Sequence, residues 1–167
     1  MTDLYPMPVQ TSTAIDQDAK LRQVSEILQE IIAGATLKDI YGIPDDILEA
    51  VYAHAYNFYQ KGNMAHAEEL FQFLCMHDMY NTKYIFGLAS VHHQKKNHAK
   101  AAQLFTMCAI LEETNYPAMF YAGQCNLALK DMAQANMCFN YLVERDAPSV
   151  LKNQAQAYLA ALVKAKE

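Results

Sequence analysis

The side chains best suited to chemistry in this sequence are its six histidines and four cysteines. His92 and His93 are adjacent, His98 follows them, and His77 and Cys108 lie elsewhere in the chain. Such residues bind zinc at spacings such as His-x3-His or Cys-x2-Cys, and neither spacing occurs. Adjacent histidines on one helix also point about 100° apart. We therefore expect no metal site, and we interpret the cysteines as reduced, mostly buried thiols.

Signatures of catalysis and nucleotide binding are missing from the sequence. No Ser-His-Asp or Cys-His set lies in a recognisable motif, and the five glycines form no phosphate-binding loop. The net charge of −5 comes without a basic block, which argues against a nucleic-acid binder. No apolar stretch approaches the roughly 20 residues that span a bilayer. We predict a protein that is not an enzyme, needs no cofactor, and binds neither nucleic acid nor membrane directly.

The elements that must position these side chains repeat every 34 residues. Four columns keep this step through three copies: Ala55, Ala89 and Gly123; Ala67, Ala101 and Ala135; Phe71, Phe105 and Phe139; Leu74, Cys108 and Leu142. Small side chains let two antiparallel helices approach to about 8–10 Å, so the Ala and Gly columns predict helix crossings. The Phe column predicts contacts between one hairpin and the next. This period and pattern are typical of tetratricopeptide repeats.

We therefore predict an all-α fold, a tetratricopeptide-repeat superhelix of three helix hairpins at residues 48–81, 82–115 and 116–149. A capping helix over 150–164 would cover the otherwise bare end of the last repeat. With an N-terminal helix over 19–33, these elements are expected to form one domain, 19–167. A polar arm over residues 1–18 is expected to be mobile.

Turn and capping residues mark the expected helix ends. Pro44 suits the first position of the first helix, and Gly62 can adopt the left-handed conformation that ends it. Short polar side chains accept hydrogen bonds from the free backbone N–H groups at a helix start. On that ground, the second helix of each repeat is predicted to be capped by Asn63, Asn97 and Asp131.

The predicted N-terminal helix carries an apolar stripe at helical spacing, made of Leu21, Val24, Ile27, Leu28 and Ile31. An isolated helix of this length is only marginally stable. The stripe is therefore expected to pack either on the first hairpin or on another chain.

A second stripe runs along the first helix of each repeat, at positions 2, 5, 9 and 12, which hairpin geometry places on the concave wall. The predicted groove residues are Tyr52, Tyr56, Tyr59, Lys83, Phe86, Ser90, His93, Phe120, Gln124 and Leu127. Aromatic rings offer rigid apolar area with a polar group at low entropic cost, which suits an extended, proline-bearing peptide. The alternative is that these rings only pack between the chain's own helices.

Five segments carry a pattern that goes beyond the repeat columns: Gly34–Ile40, Ile43–Asp46, Tyr52–Tyr59, Ala67–Cys75 and Gly123–Cys125. They resemble the class II chaperones of type III secretion, most strongly the branch known from Salmonella and Shigella. The resemblance extends over roughly residues 20–165, and 34–75 is its most specific part.

This resemblance implies a small bacterial chaperone that keeps the hydrophobic translocator proteins of a secretion needle soluble before export. It would hold an extended Pro- and Leu-containing segment of the translocator in the groove. It also implies a homodimer in the free state, formed through the N-terminal region, and a cytoplasmic location, which fits a start that does not resemble a secretory signal. Two alternatives stay open: a coactivator that partners an AraC-type transcription activator, which could coexist with the chaperone function, and a generic tetratricopeptide-repeat adaptor.

Overall fold

The computed structural model describes residues 14–164, with side chains described from residue 19 onward. Every regular element in this range is an α-helix, which confirms the predicted all-α class. The helices are α1 (Ala14–Ile32), α2 (Leu37–Tyr41), α3 (Asp45–Gln60), α4 (Met64–His77), α5 (Thr82–Gln94), α6 (His98–Leu111), α7 (Tyr116–Ala128), α8 (Met132–Glu144) and α9 (Ser149–Lys164). None of these helices is both long enough and apolar enough to cross a bilayer.

The helices fall into two compact units, and the boundary lies between Gly42 and Ile43, inside the predicted domain 19–167. The first unit contains α1 and α2. The predicted helix start at Ala19 is wrong, because α1 already begins at Ala14. The predicted mobile arm, 1–18, is thus helical from Ala14 onward, and its residues 1–13 lie outside the described part of the chain.

The apolar stripe of α1 is exposed in the single chain. Leu21 is 67% exposed, and Val24, Leu28 and Ile31 are also classed as exposed. Ile27 is half-buried. The use of this stripe as an interface stays a prediction.

The second unit consists of three hairpins, α3–α4, α5–α6 and α7–α8, followed by α9. Each helix from α3 to α9 packs against the next one along the chain. We call α3, α5 and α7 the A helices, and α4, α6 and α8 the B helices. Because α9 contacts α7 as well as α8, in the way that α5 contacts α3 and α4, it takes the place of a fourth A helix.

Small residues stand at the helix crossings, as the repeat columns predict. The alanines of these columns have no exposed surface: Ala55, Ala67, Ala89, Ala101 and Ala135. The Phe column is buried as well, and its first member also explains a glycine outside the columns. A Cβ atom added to Gly87 on α5 would lie 2.2 Å from the Phe71 ring of α4. The Phe71 ring thus occupies the space that a side chain at position 87 would need.

The predicted helix caps are present at the start of each B helix. The cap side chains accept hydrogen bonds from the backbone N–H groups of His66, Lys100 and Gln134, at 3.4, 3.5 and 3.0 Å, and these caps are Asn63, Asn97 and Asp131. At the first helix, Pro44 differs slightly from the prediction, because it is the residue just before α3 rather than the first helical one.

The residue before each of these caps adopts a left-handed backbone. The φ angle is 77° at Gly62, 59° at Lys96 and 62° at Lys130. Glycine adopts this conformation at little cost, whereas a side chain is disfavoured there. The turn geometry is therefore shared by all three hairpins, although only the first has glycine at this position.

Candidate functional site

A cavity of about 960 Å³ opens along the A helices of the second unit. We call it the groove. Seven of the ten predicted groove residues line it: Tyr52, Tyr56, Tyr59, Lys83, Phe86, Ser90 and His93. The stripe predicted from hairpin geometry therefore locates the groove wall in the first two repeats.

Three tyrosines form a row along α3. The Tyr56 ring stacks between its neighbours, with ring centroids 6.4 Å from Tyr52 and 6.5 Å from Tyr59. Tyr52 also packs on Phe71 and Tyr84, with both centroid distances at 5.9 Å. Tyr56 is 47% exposed, whereas Tyr52 and Tyr59 are half-buried. Packing between the chain's own helices therefore accounts for Tyr52 but not for Tyr56.

An aromatic cluster from α5, α6 and α7 continues the wall. Phe86 meets Phe105 edge to face at 5.2 Å, and Tyr121 stacks on Phe105 at 5.3 Å. Tyr121 is 37% exposed and lines the groove, although the sequence analysis did not select it. It follows Phe120 directly and lies outside the 2, 5, 9, 12 stripe, so a stripe copied unchanged from repeat to repeat could not find it.

The three predicted residues of the third repeat do not line the groove. Phe120 is only 7% exposed, and its ring packs edge to face on Phe139 and Tyr158. The Gln124 side chain donates a hydrogen bond to the Tyr158 hydroxyl at 3.1 Å. Leu127 is half-buried against the same cluster. The prediction fails here because α9 covers this part of α7, as a following A helix would.

Charged side chains are few on the groove wall, and each of them has a local partner. The Lys83 ammonium lies 3.2 Å from the Glu49 carboxylate and 5.6 Å from the centroid of the Tyr52 ring. The Glu112 carboxylate accepts hydrogen bonds from Thr82 at 2.8 Å and from Asn115 at 3.0 Å. The exposed ion pair is weak, and Glu112 keeps its charge because both of its hydrogen-bond donors are neutral. The groove thus presents aromatic area rather than a charged clamp.

Two histidines and one cysteine come close together, although the sequence predicts no metal site. Side-chain donor atoms of His93, His98 and Cys125 all lie within 4.8 Å of one another. His77 and Cys108, which the sequence analysis weighed, are not part of this group. Burial, followed by the proximity of His98, lowers the pKa of His93. Burial raises the pKa of the Cys125 thiol to about 11.

Comparison with known proteins gives three kinds of match. The family model for the tetratricopeptide repeat matches residues 48–81 and 82–115. The chaperone protein SicA of Salmonella typhimurium is 41% identical over 141 residues, which cover 84% of this chain and 86% of the relative.

Two solved chaperone complexes are also similar. PcrH bound to the chaperone-binding region of PopD has a TM-score of 0.68 at 30% identity, and the match covers 75% of this chain and 98% of PcrH. SycD of Yersinia enterocolitica bound to a peptide of the translocator YopD has a TM-score of 0.70 at 26% identity, with coverage of 75% and 98%.

Proposed function

This chain belongs to the class II chaperones of type III secretion, which are built on tetratricopeptide repeats, and we propose that it binds hydrophobic translocator proteins before their export. In this proposal the chaperone acts in the bacterial cytoplasm and holds an extended Pro- and Leu-containing segment of the translocator in the groove. The observation that carries the proposal is an open, aromatic groove along α3, α5 and α7.

The shape and chemistry of the groove favour an extended apolar segment. Its wall offers an exposed ring at Tyr56 and partly exposed rings at Tyr59, Phe86 and Tyr121. Flat rings accept proline and leucine side chains, and a proline-bearing segment loses little backbone entropy because it is already extended. Tyrosine hydroxyls and Asn81 can serve the backbone polar groups of such a segment.

The charges of the groove favour a segment with few charges of its own. Lys83 is the only lysine or arginine among the described residues that line the groove, and it is paired with Glu49. A groove for acidic tails would need several unpaired cations. A translocator segment inserted in a membrane after export is apolar, and such surface associates in water unless it is covered. Covering part of it requires no hydrolysis.

The direct test is co-expression with a hydrophobic translocator of the same secretion system. We expect the translocator to stay in the supernatant as a complex with this chain, and to be insoluble when expressed alone. A translocator that stays insoluble in the presence of the well-folded chaperone would contradict the proposal.

The groove assignment needs its own experiment, because a translocator could bind elsewhere. The double variant Tyr56→Ala with Tyr59→Ala should weaken binding of a labelled Pro- and Leu-containing translocator peptide while the helical circular dichroism signal stays nearly unchanged. A peptide of the same composition in scrambled order is the control for non-specific apolar contact. Unchanged affinity for the ordered peptide would remove the groove from the proposal.

Two further partners belong to this proposal. A homodimer of the free chain is supported by the exposed stripe of Leu21, Val24, Leu28 and Ile31 on α1. Partnership with an AraC-type activator rests on the family resemblance alone, and a pull-down with such an activator in the presence and absence of translocator tests it.

A further inference from the structure

Three side chains with metal-binding donors converge from three helices at one end of the groove. His93 lies near the end of α5, His98 is the first residue of α6, and Cys125 lies on α7. Their donor atoms are within 4.8 Å of one another, and His93 also lines the groove. Residues so far apart in sequence meet here because the α5–α6 turn brings the two histidines together against the next repeat.

The His98 ring has a nitrogen atom that is available to bind a metal ion. Nδ1 of His98 is buried and has no hydrogen-bond partner among the described residues. A buried polar atom without a partner is destabilising, so a bonding partner at this nitrogen would be stabilising.

The neighbouring buried histidine provides a contrast. Nε2 of His92 lies 3.6 Å from the Glu68 carboxylate, and Lys95 pairs with the same carboxylate. Both ring nitrogens of His92 are also buried without a hydrogen-bond partner among the described residues, but His92 lies on the α4 side and is not a member of the converging set. The convergence is thus a property of particular residues, not of a histidine-rich surface.

The donor set selects the class of metal. Two imidazole nitrogens and one thiolate sulfur suit zinc or copper, whereas calcium and magnesium prefer oxygen ligands. Donor atoms around a tetrahedral zinc stand about 3.3–3.8 Å apart, so rotamer shifts on the order of 1 Å would complete the geometry. Three protein ligands leave a fourth position open, as in zinc sites that bind an additional ligand.

We propose that His93, His98 and Cys125 form a Zn²⁺ site at the wall of the groove. On binding, the Cys125 Sγ–H bond breaks, the proton passes to solvent, and sulfur and both imidazole nitrogens donate lone pairs to the ion without any change of oxidation state. The bound ion connects α5, α6 and α7. Because binding releases this proton, the apparent affinity increases with pH.

The test uses the full chain, first treated with a chelator, and Co²⁺ as a spectroscopic substitute for zinc. We expect one equivalent of Co²⁺ to produce a sulfur-to-cobalt charge-transfer band in the near ultraviolet and the visible bands of tetrahedral cobalt, and one equivalent of Zn²⁺ to abolish both. Zn²⁺ should also raise the thermal unfolding midpoint, because it binds the folded state. Absence of the charge-transfer band would overturn the proposal.

Matched variants separate this site from incidental binding. Two variants, His98→Ala and Cys125→Ser, should each weaken Zn²⁺ binding by at least about 10-fold. A loss of this size is typical even when the substituted residue only hydrogen-bonds to a metal ligand. His92→Gln and Cys138→Ser are the controls, since both residues are buried and lie outside the set. Equal losses in the controls, or no loss in His98→Ala, would overturn the assignment. Neither result bears on translocator binding, which is measured without metal.

Discussion

The substitution Tyr56→Ala separates recognition from stability in this protein. Tyr56 is the exposed member of the row on α3, and its hydroxyl accepts a hydrogen bond from Gln60 at 2.6 Å at the surface. Its neighbour Tyr52 packs on Phe71 and Tyr84 in the core. Removing the Tyr56 ring should therefore take away surface that a bound segment would cover, with little disturbance of the fold.

The magnitude follows from the exposed area of the ring. An aromatic side chain has about 150–250 Å² of surface, so 47% exposure leaves roughly 90 Å² to be covered by a ligand. At about 25 cal/mol per Å², covering this area contributes about 2 kcal/mol to binding. Its loss should make the dissociation constant of the peptide roughly 30-fold larger. The loss of ring contacts with Tyr52 and Tyr59 should cost about 1 kcal/mol of folding stability, which corresponds to a midpoint lowered by about 2–4 °C.

The assay is fluorescence anisotropy with a labelled translocator peptide, run beside thermal unfolding followed by circular dichroism. Tyr41→Ala is the matched control, because Tyr41 is 70% exposed and lies on α2, outside the groove. We expect the control to bind the peptide with unchanged affinity. If Tyr56→Ala binds as tightly as the unaltered chain, or if Tyr41→Ala loses as much affinity, the reasoning from exposed area is refuted.

Three further predictions concern the fold and its assembly. Gly87→Ala should lower the unfolding midpoint, because a Cβ 2.2 Å from the Phe71 ring causes overpacking of about 1–3 kcal/mol, which exceeds the gain in helix propensity of about 1 kcal/mol; a higher midpoint would contradict this. Lys130→Gly should raise the unfolding midpoint, because a side chain on a left-handed backbone with φ of 62° costs about 1 kcal/mol. The control Lys100→Gly, inside α6, should lower the midpoint. If both variants change the midpoint in the same direction, the backbone argument is refuted. Leu28→Asp should convert a dimer of the free chain to monomer in size-exclusion chromatography with light scattering, and a persistent dimer would exclude the α1 stripe as the interface.

Local and periodic features of the structure could be read from the sequence. The crossings at Ala55 and Ala89 follow from one repeated column, and the cap at Asn63 depends only on residues within the next turn. The tyrosine row on α3 was predictable for the same reason, since helical spacing places its members on one face.

Features that depend on neighbouring helices could not be read in this way. Phe120 and Gln124 leave the groove because α9 packs against them, and no pattern within the third repeat signals that contact. The convergence of His93, His98 and Cys125 was missed because ligand spacing along a chain describes sites built on one hairpin, whereas these residues come from three helices. The earlier start of α1 shows a similar limit, since the polar composition of residues 1–18 predicts a mobile arm, whereas the chain is helical from Ala14 onward.

The placement of α9 has a consequence for how long a client segment can be. Adjacent helices lie about 10 Å apart, so the open stretch from α3 to α7 measures about 20 Å. An extended chain advances about 3.3 Å per residue, and about six residues therefore span it. Tyr158 of α9, 34 positions after Gln124, accepts a hydrogen bond from Gln124 at 3.1 Å, beyond the residues that line the groove. In the proposed complex, α9 limits the length of the client segment that the groove can contact, because it covers the adjoining part of α7.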